Sequence, residues 1–212
     1  DARYLPEFRQ LTGATAVPMT MKPLESAFIV FRSPAKECSC CENYPAPASV
    51  AAADGPWTIE FEKGKGGPKK PVVTENLFDW MESENPQIKY FSGTAKYTTT
   101  VNIDKLPQSP VYVDLGKVMV MARVRVNGQD AGGVWTMPYQ VNVTDLLKEG
   151  ENVLEVEVVN CWRNRMVGEC SMPKKERFTF HTASDIDADS EMQSSGLIGP
   201  VQIISYPYEI VK

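Results

Sequence analysis

The run Val120-Met121-Ala122-Arg123-Val124-Arg125-Val126-Asn127-Gly128 decides the fold. Successive side chains of an extended chain point to opposite faces. Val120, Ala122, Val124 and Val126 therefore share one side, and Met121, Arg123 and Arg125 share the other. The run ends in Asn-Gly, the pair that takes the two positive-φ positions of a tight hairpin turn at least cost. The reading is a strand with one dry face and one wet face, followed at once by an antiparallel partner.

The same period of two recurs outward from that run. Trp57, Ile59 and Phe61 alternate with Thr58 and Glu60, and Tyr97, Thr99, Val101 and Ile103 alternate with Lys96, Thr98, Thr100 and Asn102. Leu154, Val156 and Val158 alternate with Glu155 and Glu157, and Phe178 and Phe180 with Thr179 and His181. Residues 111–115 and 201–204 are further apolar strands. Only residues 143–150 suggest a helical turn, with Thr144 or Asp145 as its cap and Gly150 closing it. About eight short strands with frequent Gly and Pro turns predict an all-β protein, an antiparallel jelly-roll β-sandwich. Trp57, Phe61, Val124, Leu154, Val156 and Phe180 are expected in its core.

The chain divides by composition. Val17-Pro18-Met19-Thr20-Met21 and Ser26-Ala27-Phe28-Ile29-Val30-Phe31 read as two strands, which cannot bury a core alone. Residues 1–34 are expected to complete the sheet of a preceding β domain or to pack on the main domain here, residues 35–54 to be an Ala-, Pro- and Ser-rich linker, and residues 55–212 to be the sandwich. With 212 residues, 42% of them hydrophobic, a substantial core is within reach. A net charge of -5 argues against a nucleic-acid partner, which calls for a basic patch. No apolar run approaches the roughly 18 residues of a membrane span. The chain opens Asp1-Ala2-Arg3, which reads as the start of a trimmed fragment.

Little of the chemistry an enzyme needs can be found. The five cysteines include Cys38, Cys40 and Cys41 at C-x-C-C spacing, and the single histidine is His181, so a zinc site is not expected. Free thiols, a Cys161–Cys170 disulfide and a bridge to the Cys38 cluster are all compatible with the sequence. His181 lies in no nucleophile signature, and residues 64–70 are glycine-rich without the order of a phosphate-binding loop. Asp185, Asp187 and Asp189 open like a calcium loop, but Ser190 and Gly196 stand where Gly and Glu are required. Either a solvated acidic loop or a calcium site assembled with other loops fits; no other cofactor is expected. Flat indoles and phenols hold sugars by their C–H faces, while amides and Arg read hydroxyls. Trp80, Trp135, Tyr139 and Trp162, beside Asn164 and Arg165, are the candidate ligand-binding residues. The competing reading is that tryptophans pack the core and that Arg165 pairs with Glu169 to clamp its own loop.

Several strings taken together carry a family resemblance. They are Gly55-Pro56-Trp57, Trp80, residues 88–95, Val113-Asp114-Leu115-Gly116, Val124 to Gly128, Val134-Trp135 through Pro138-Tyr139, Asp145-Leu146-Leu147 with Gly150-Glu151-Asn152, Asn160 to Arg165, and Ser195 to Val201. Their order resembles the C-terminal galactose-binding-like β-sandwich of bacterial α-L-rhamnosidase-type glycoside hydrolases. More loosely, it is similar to the sugar-binding domain of the β-galactosidase/β-glucuronidase family. The resemblance covers about residues 55–206. It implies a non-catalytic accessory module with no catalytic residues of its own, because the acid/base carboxylates of such enzymes lie on a separate barrel. The implied partners are carbohydrate, the catalytic barrel of the same parent chain, or both, in a periplasmic or extracellular setting. An autonomous carbohydrate-binding module and a purely structural sandwich are the alternatives.

Overall fold

A computed structural model describes residues 2–21, 23–32, 34, 42–180 and 185–208. Its strands are β1 (Arg9–Leu11), β2 (Ala14–Ala16), β3 (Ala48–Ala52), β4 (Trp57–Phe61), β5 (Val72–Thr74), β6 (Thr94–Ile103) and β7 (Val111–Asp114). They continue with β8 (Lys117–Met119), β9 (Met121–Val126), β10 (Gln129–Val134), β11 (Gln140–Asn142), β12 (Gly150–Val159), β13 (Gly196–Gly199) and β14 (Gln202–Ser205). Two short helices, α1 (Pro86–Lys89) and α2 (Arg163–Glu169), interrupt them. The main layers are a six-stranded sheet in the order β10-β9-β12-β6-β4-β5 and a four-stranded sheet in the order β11-β7-β14-β3. Two two-stranded ribbons, β1-β2 and β13-β8, complete the described sheets. Among the described residues every ladder is antiparallel, and Gly116 and Gly199 form an isolated parallel bridge.

The alternation seen in the sequence is the alternation of burial. Strand β4 buries Trp57, Ile59 and Phe61, and β12 buries Leu154, Val156 and Val158. On the outer face, residues from neighbouring strands meet as Glu60–Lys96–Glu157–Arg123, a row of alternating charge set by register. Lys96 Nζ lies 2.9 Å from Glu60, and Arg123 chelates Asp130 through two 2.8 Å hydrogen bonds. That bonding holds the Asp130 carboxyl down at about 2. The β9–β10 hairpin turns on Asn127 (φ 52°) and Gly128 (φ 78°), the left-handed pair that Asn-Gly predicts. The Asn127 amide also donates to Leu146 O and to Oδ1 of the buried Asn152, binding the hairpin to the start of β12.

Between the layers lies an aromatic cluster. Phe61 and Phe91 meet edge to face at 4.8 Å, and Trp80 stacks on Tyr97 with an interplanar angle of 3°. The Tyr97 hydroxyl accepts the Leu197 N–H at 3.1 Å. Burial pushes the Tyr97 phenol well above its ordinary range, and the Leu197 N–H only partly opposes the shift. This has a measurable consequence. An unfolded tyrosine releases its proton near pH ~10, whereas the folded Tyr97 still holds it there. The Tyr97 contribution is therefore complete below that pH and declines as pH rises above it, by about 1.4 kcal/mol per pH unit. Urea midpoints measured from about pH 9 to about pH 12 are expected to fall above pH ~10; flat midpoints would refute the assignment.

The structure corrects four expectations. The N-terminal ladder is not formed by residues 17–21 and 26–31 but by β1 and β2, which turn at Thr12-Gly13. The presumed linker contains β3, which pairs with β14 at the edge of the four-stranded sheet. Val120 is partly exposed, and β9 begins only at Met121. Phe178 and Phe180 form no strand, and Phe180 is 92% exposed instead of lying in the core. The backbone N–H groups of Phe178 and Thr179 are bonded to the Glu169 carboxylate, so they cannot join a ladder.

Candidate functional site

Register decides which candidate residues share a surface. Strand β9 lies between β10 and β12, and Val134, Ala122 and Val158 face one another across the three strands. Strands β10 and β12 run in the same direction, so the chain following each emerges at the same end of the sheet. Trp135 follows Val134 directly, and Trp162 lies three residues beyond Val159. Val120 and Met121, at the start of β9, belong to that end too. The result is a rim carrying Trp135 at 71% exposure and Trp162 at 55%, with Val120, Met121 and Met137 also open to solvent. Two strand spacings, about 10 Å, separate β10 from β12. Tyr139 closes the loop after Trp135; it is half-buried against the core, and its carbonyl accepts the Leu115 N–H at 2.9 Å. Leu24, Glu25 and Ser26 face Val134, Trp135 and Thr136 across a shallow depression of about 280 Å3.

The other three candidates point inward. Trp80 is fully buried in the aromatic cluster, so it offers no face to a ligand. Asn164 is 2% exposed: its Nδ2 donates to Gln193 O at 2.6 Å and its Oδ1 accepts Gln193 N at 2.8 Å. Arg165 is also buried. Its guanidinium donates to Lys65 O, lies 3.7 Å from Glu169 and sits over the Phe178 ring at 5.2 Å. Burial lowers the Arg165 pKa, and the neighbouring Glu169 charge opposes that shift. Glu169 completes the arrangement by accepting Phe178 N and Thr179 N at 3.0 Å and Thr179 Oγ1 at 2.5 Å. The polar string beyond β12 is thus built into α2 and holds the long excursion between α2 and β13 at both of its ends. The sequence reading missed α2, whose signal was the i, i+4 pairing of Arg165 with Glu169. Asn160, the first amide of the same string, is turned inward as well: it accepts Gly93 N at 3.0 Å and donates to Phe91 O at 2.6 Å.

The acidic loop is occupied with itself. Asp187 Oδ1 accepts Asp189 N and Ser190 Oγ, both at 3.0 Å. Among the described residues, no group of three or more His, Cys, Asp or Glu side chains converges as metal ligands would. Cys161 and Cys170 are separate free thiols, whereas Cys38, Cys40, Cys41 and His181 lie outside the described residues.

A sandwich of this topology, with this arrangement beyond β12, has recognisable relatives. The family model for glycosyl hydrolase 2 galactose-binding domain-like sequences matches residues 72–192, more than half of the chain, and the chain belongs to that family. It is 35% identical, over 188 aligned positions and 76% of its length, to a protein of Formosa agariphila that bears the name beta-glucuronidase. Among solved structures, it superposes on a rhamnosidase from Novosphingobium sp. PP1Y with a TM-score of 0.84 and 32% identity over 94% of the chain. The chain spans only 16% of the first protein and 19% of the second.

Proposed function

We propose that this chain is a non-catalytic accessory module of a larger glycoside hydrolase, and that the Trp135–Trp162 rim faces the catalytic domain of the same polypeptide. The observation that carries the proposal is the distribution of the candidate residues. The groups able to read a sugar hydroxyl, Asn164 and Arg165, are engaged inside the module, while an apolar rim with two indoles stays open. Aromatic residues and Met are the types enriched where two protein surfaces meet. The small share of each relative that the chain spans supports the same reading.

In an assay with aryl α-L-rhamnoside and aryl β-glucuronide, the purified chain is expected to show no turnover. Glycoside hydrolysis takes a carboxylate pair about 5–10 Å apart across a cleft. Turnover that persists through purification and disappears on changing a single carboxylate of this chain would overturn the proposal. In the longer enzyme, Trp135→Ala is expected to lower the thermal midpoint, with no such loss in the isolated module. A second reading, an autonomous carbohydrate-binding module, is favoured by one feature: the depression beside Trp135, edged by Glu25, Ser26 and Thr136. Quenching of indole fluorescence by rhamnose, galactose or glucuronate, absent in Trp135→Ala, would favour that reading.

A further inference from the structure

Six exposed lysines stand on two short segments that the tertiary structure brings together. Lys63, Lys65, Lys69 and Lys70 lie on the loop from β4 to β5, and Lys174 and Lys175 on the excursion after α2. The segments meet at Arg165 and Phe178. Arg165 donates to Lys65 O, and a Cβ on Gly66 would lie 2.8 Å from Arg165 Nη1 and 3.1 Å from the Phe178 ring. Each of the six lysines is at most four residues from Gly66 or Phe178. Their Cα atoms therefore all fall within about 14 Å of one or other side of that contact.

Carboxylates do not neutralise the group. Glu62 reaches Lys65 at 4.0 Å while also accepting Thr94 N. Among the described residues, none of the other five lysines forms an ion pair. Glu176 is the single acidic residue within 63–70 and 174–178. The hydrogen bond from Cys170 Sγ to Ile186 O brings Asp187 near the end of α2, but Asp187 accepts from its own loop. Gathered like charges repel one another. The buried Arg165–Glu169 pair acts against that repulsion, since Arg165 holds the first segment and Glu169 the backbone of Phe178 and Thr179.

Register fixes where this surface lies. Phe61 pairs with Ala95, and Thr94 with Val159, so β4 runs in the same direction as β12. The lysine loop thus emerges at the same end of the sheet as Trp135 and Trp162, two strand spacings beyond β12, about 10 Å. We propose that the six lysines bind a polyanionic glycan, one bearing carboxylate or sulfate groups, beside the rim that faces the catalytic domain. An ammonium on a flexible stem meets spaced anionic groups without demanding one fixed geometry. Phe178, 59% exposed between the two segments, offers an apolar ring to the C–H face of a sugar. The inference rests on the accessory-module reading, and it adds the charge of the glycan and the side chains that meet it.

Native electrophoresis of the isolated chain through gels holding polygalacturonate, dextran sulfate or neutral dextran provides the test, with mobility referred to a polymer-free gel. At least one polyanion is expected to retard the chain and neutral dextran to leave it unchanged, with the retardation lost by roughly 0.5 M salt. Replacing Lys69, Lys70, Lys174 and Lys175 together by Gln should weaken the affinity about tenfold or more and leave the urea midpoint in place. Lys105 and Lys148 lie beside Ile103 and Gly150, at the opposite end of the sheet, and their replacement by Gln should change nothing. The inference is overturned by a chain that neither polyanion retards, or by retardation that survives the four-lysine change or vanishes equally with Lys105 and Lys148. Equally tight binding to duplex DNA or to phosphatidylglycerol vesicles would overturn it too, as charge attraction without a glycan. In each of these cases, a longer enzyme destabilised by Trp135→Ala leaves the accessory-module reading standing while this inference fails.

Discussion

Trp80→Ala is expected to destabilise the module by about 3–5 kcal/mol, or roughly 6–20 °C in thermal midpoint for a chain of this size. The indole is completely buried between the sheets and touches Phe61, Phe91 and Tyr97 at ring separations of 5.4, 5.6 and 6.3 Å. Truncation therefore removes buried apolar area and leaves a cavity that rigid strands on both sides cannot close. Gly196 shows how closely the pocket is shaped. It sits at φ 92°, and a Cβ there would lie 2.6 Å from the Trp80 ring, so Gly196→Ala strains the same spot from the other side. Trp80→Phe should cost less, because the indole N–H has no hydrogen-bond partner among the described residues and its removal relieves a desolvated donor. Trp135→Ala is the contrasting control: in the isolated module it should stay within about 0.5 kcal/mol of the parent. Urea denaturation of the three Trp variants decides the matter, and similar losses for Trp80→Ala and Trp135→Ala would contradict the placement of both indoles.

The second large effect is expected at Glu169. Glu169→Ala leaves the buried Arg165 guanidinium without its counter-charge and deprives Phe178 N, Thr179 N and Thr179 Oγ1 of their acceptor. Breaking a buried pair by removing one partner costs about 3–5 kcal/mol, far more than the pair itself contributes. Arg165→Ala should cost less than Glu169→Ala, since Glu169 keeps its three donors, while Lys65 O loses one. Both variants should speed amide exchange at Phe178 and Thr179. A Glu169→Ala midpoint shift equivalent to less than about 0.5 kcal/mol would show that the carboxylate does not hold the excursion. If Arg165 acts only as this clamp, Arg165→Ala in the longer enzyme should leave activity per folded molecule unchanged.

These two sites mark the boundary of what a linear reading reaches. The core faces of β4, β6, β9 and β12 were legible because period-two alternation is a local property of an extended backbone, and Asn127-Gly128 was legible because left-handed φ values restrict residue type. Phe178 and Phe180 alternate as well, yet they lie outside every sheet. Two apolar positions are too few to outweigh a carboxylate that captures the intervening N–H groups. The family resemblance extended the reading to the whole sandwich, since its strings combine turns, caps and strand ends whose spacing local periodicity does not encode.

By itself, then, the sequence determined the all-β class, the antiparallel pairing around Asn127-Gly128, the inward side of the long strands and the family of the module. Tertiary structure alone decided which aromatic residues are open, and the reason is physical. Trp80 and Trp135 are chemically identical, and burial belongs to the packed layers, not to the residue. Trp80 lies between the sheets against Tyr97, whereas Trp135 follows the edge strand β10 and stays open to solvent. Asn164 and Arg165 read in sequence as a polar surface because nothing nearby announces their acceptors. Those acceptors, Gln193 O and Lys65 O, stand 29 and 100 residues away and come within reach only when the sandwich closes.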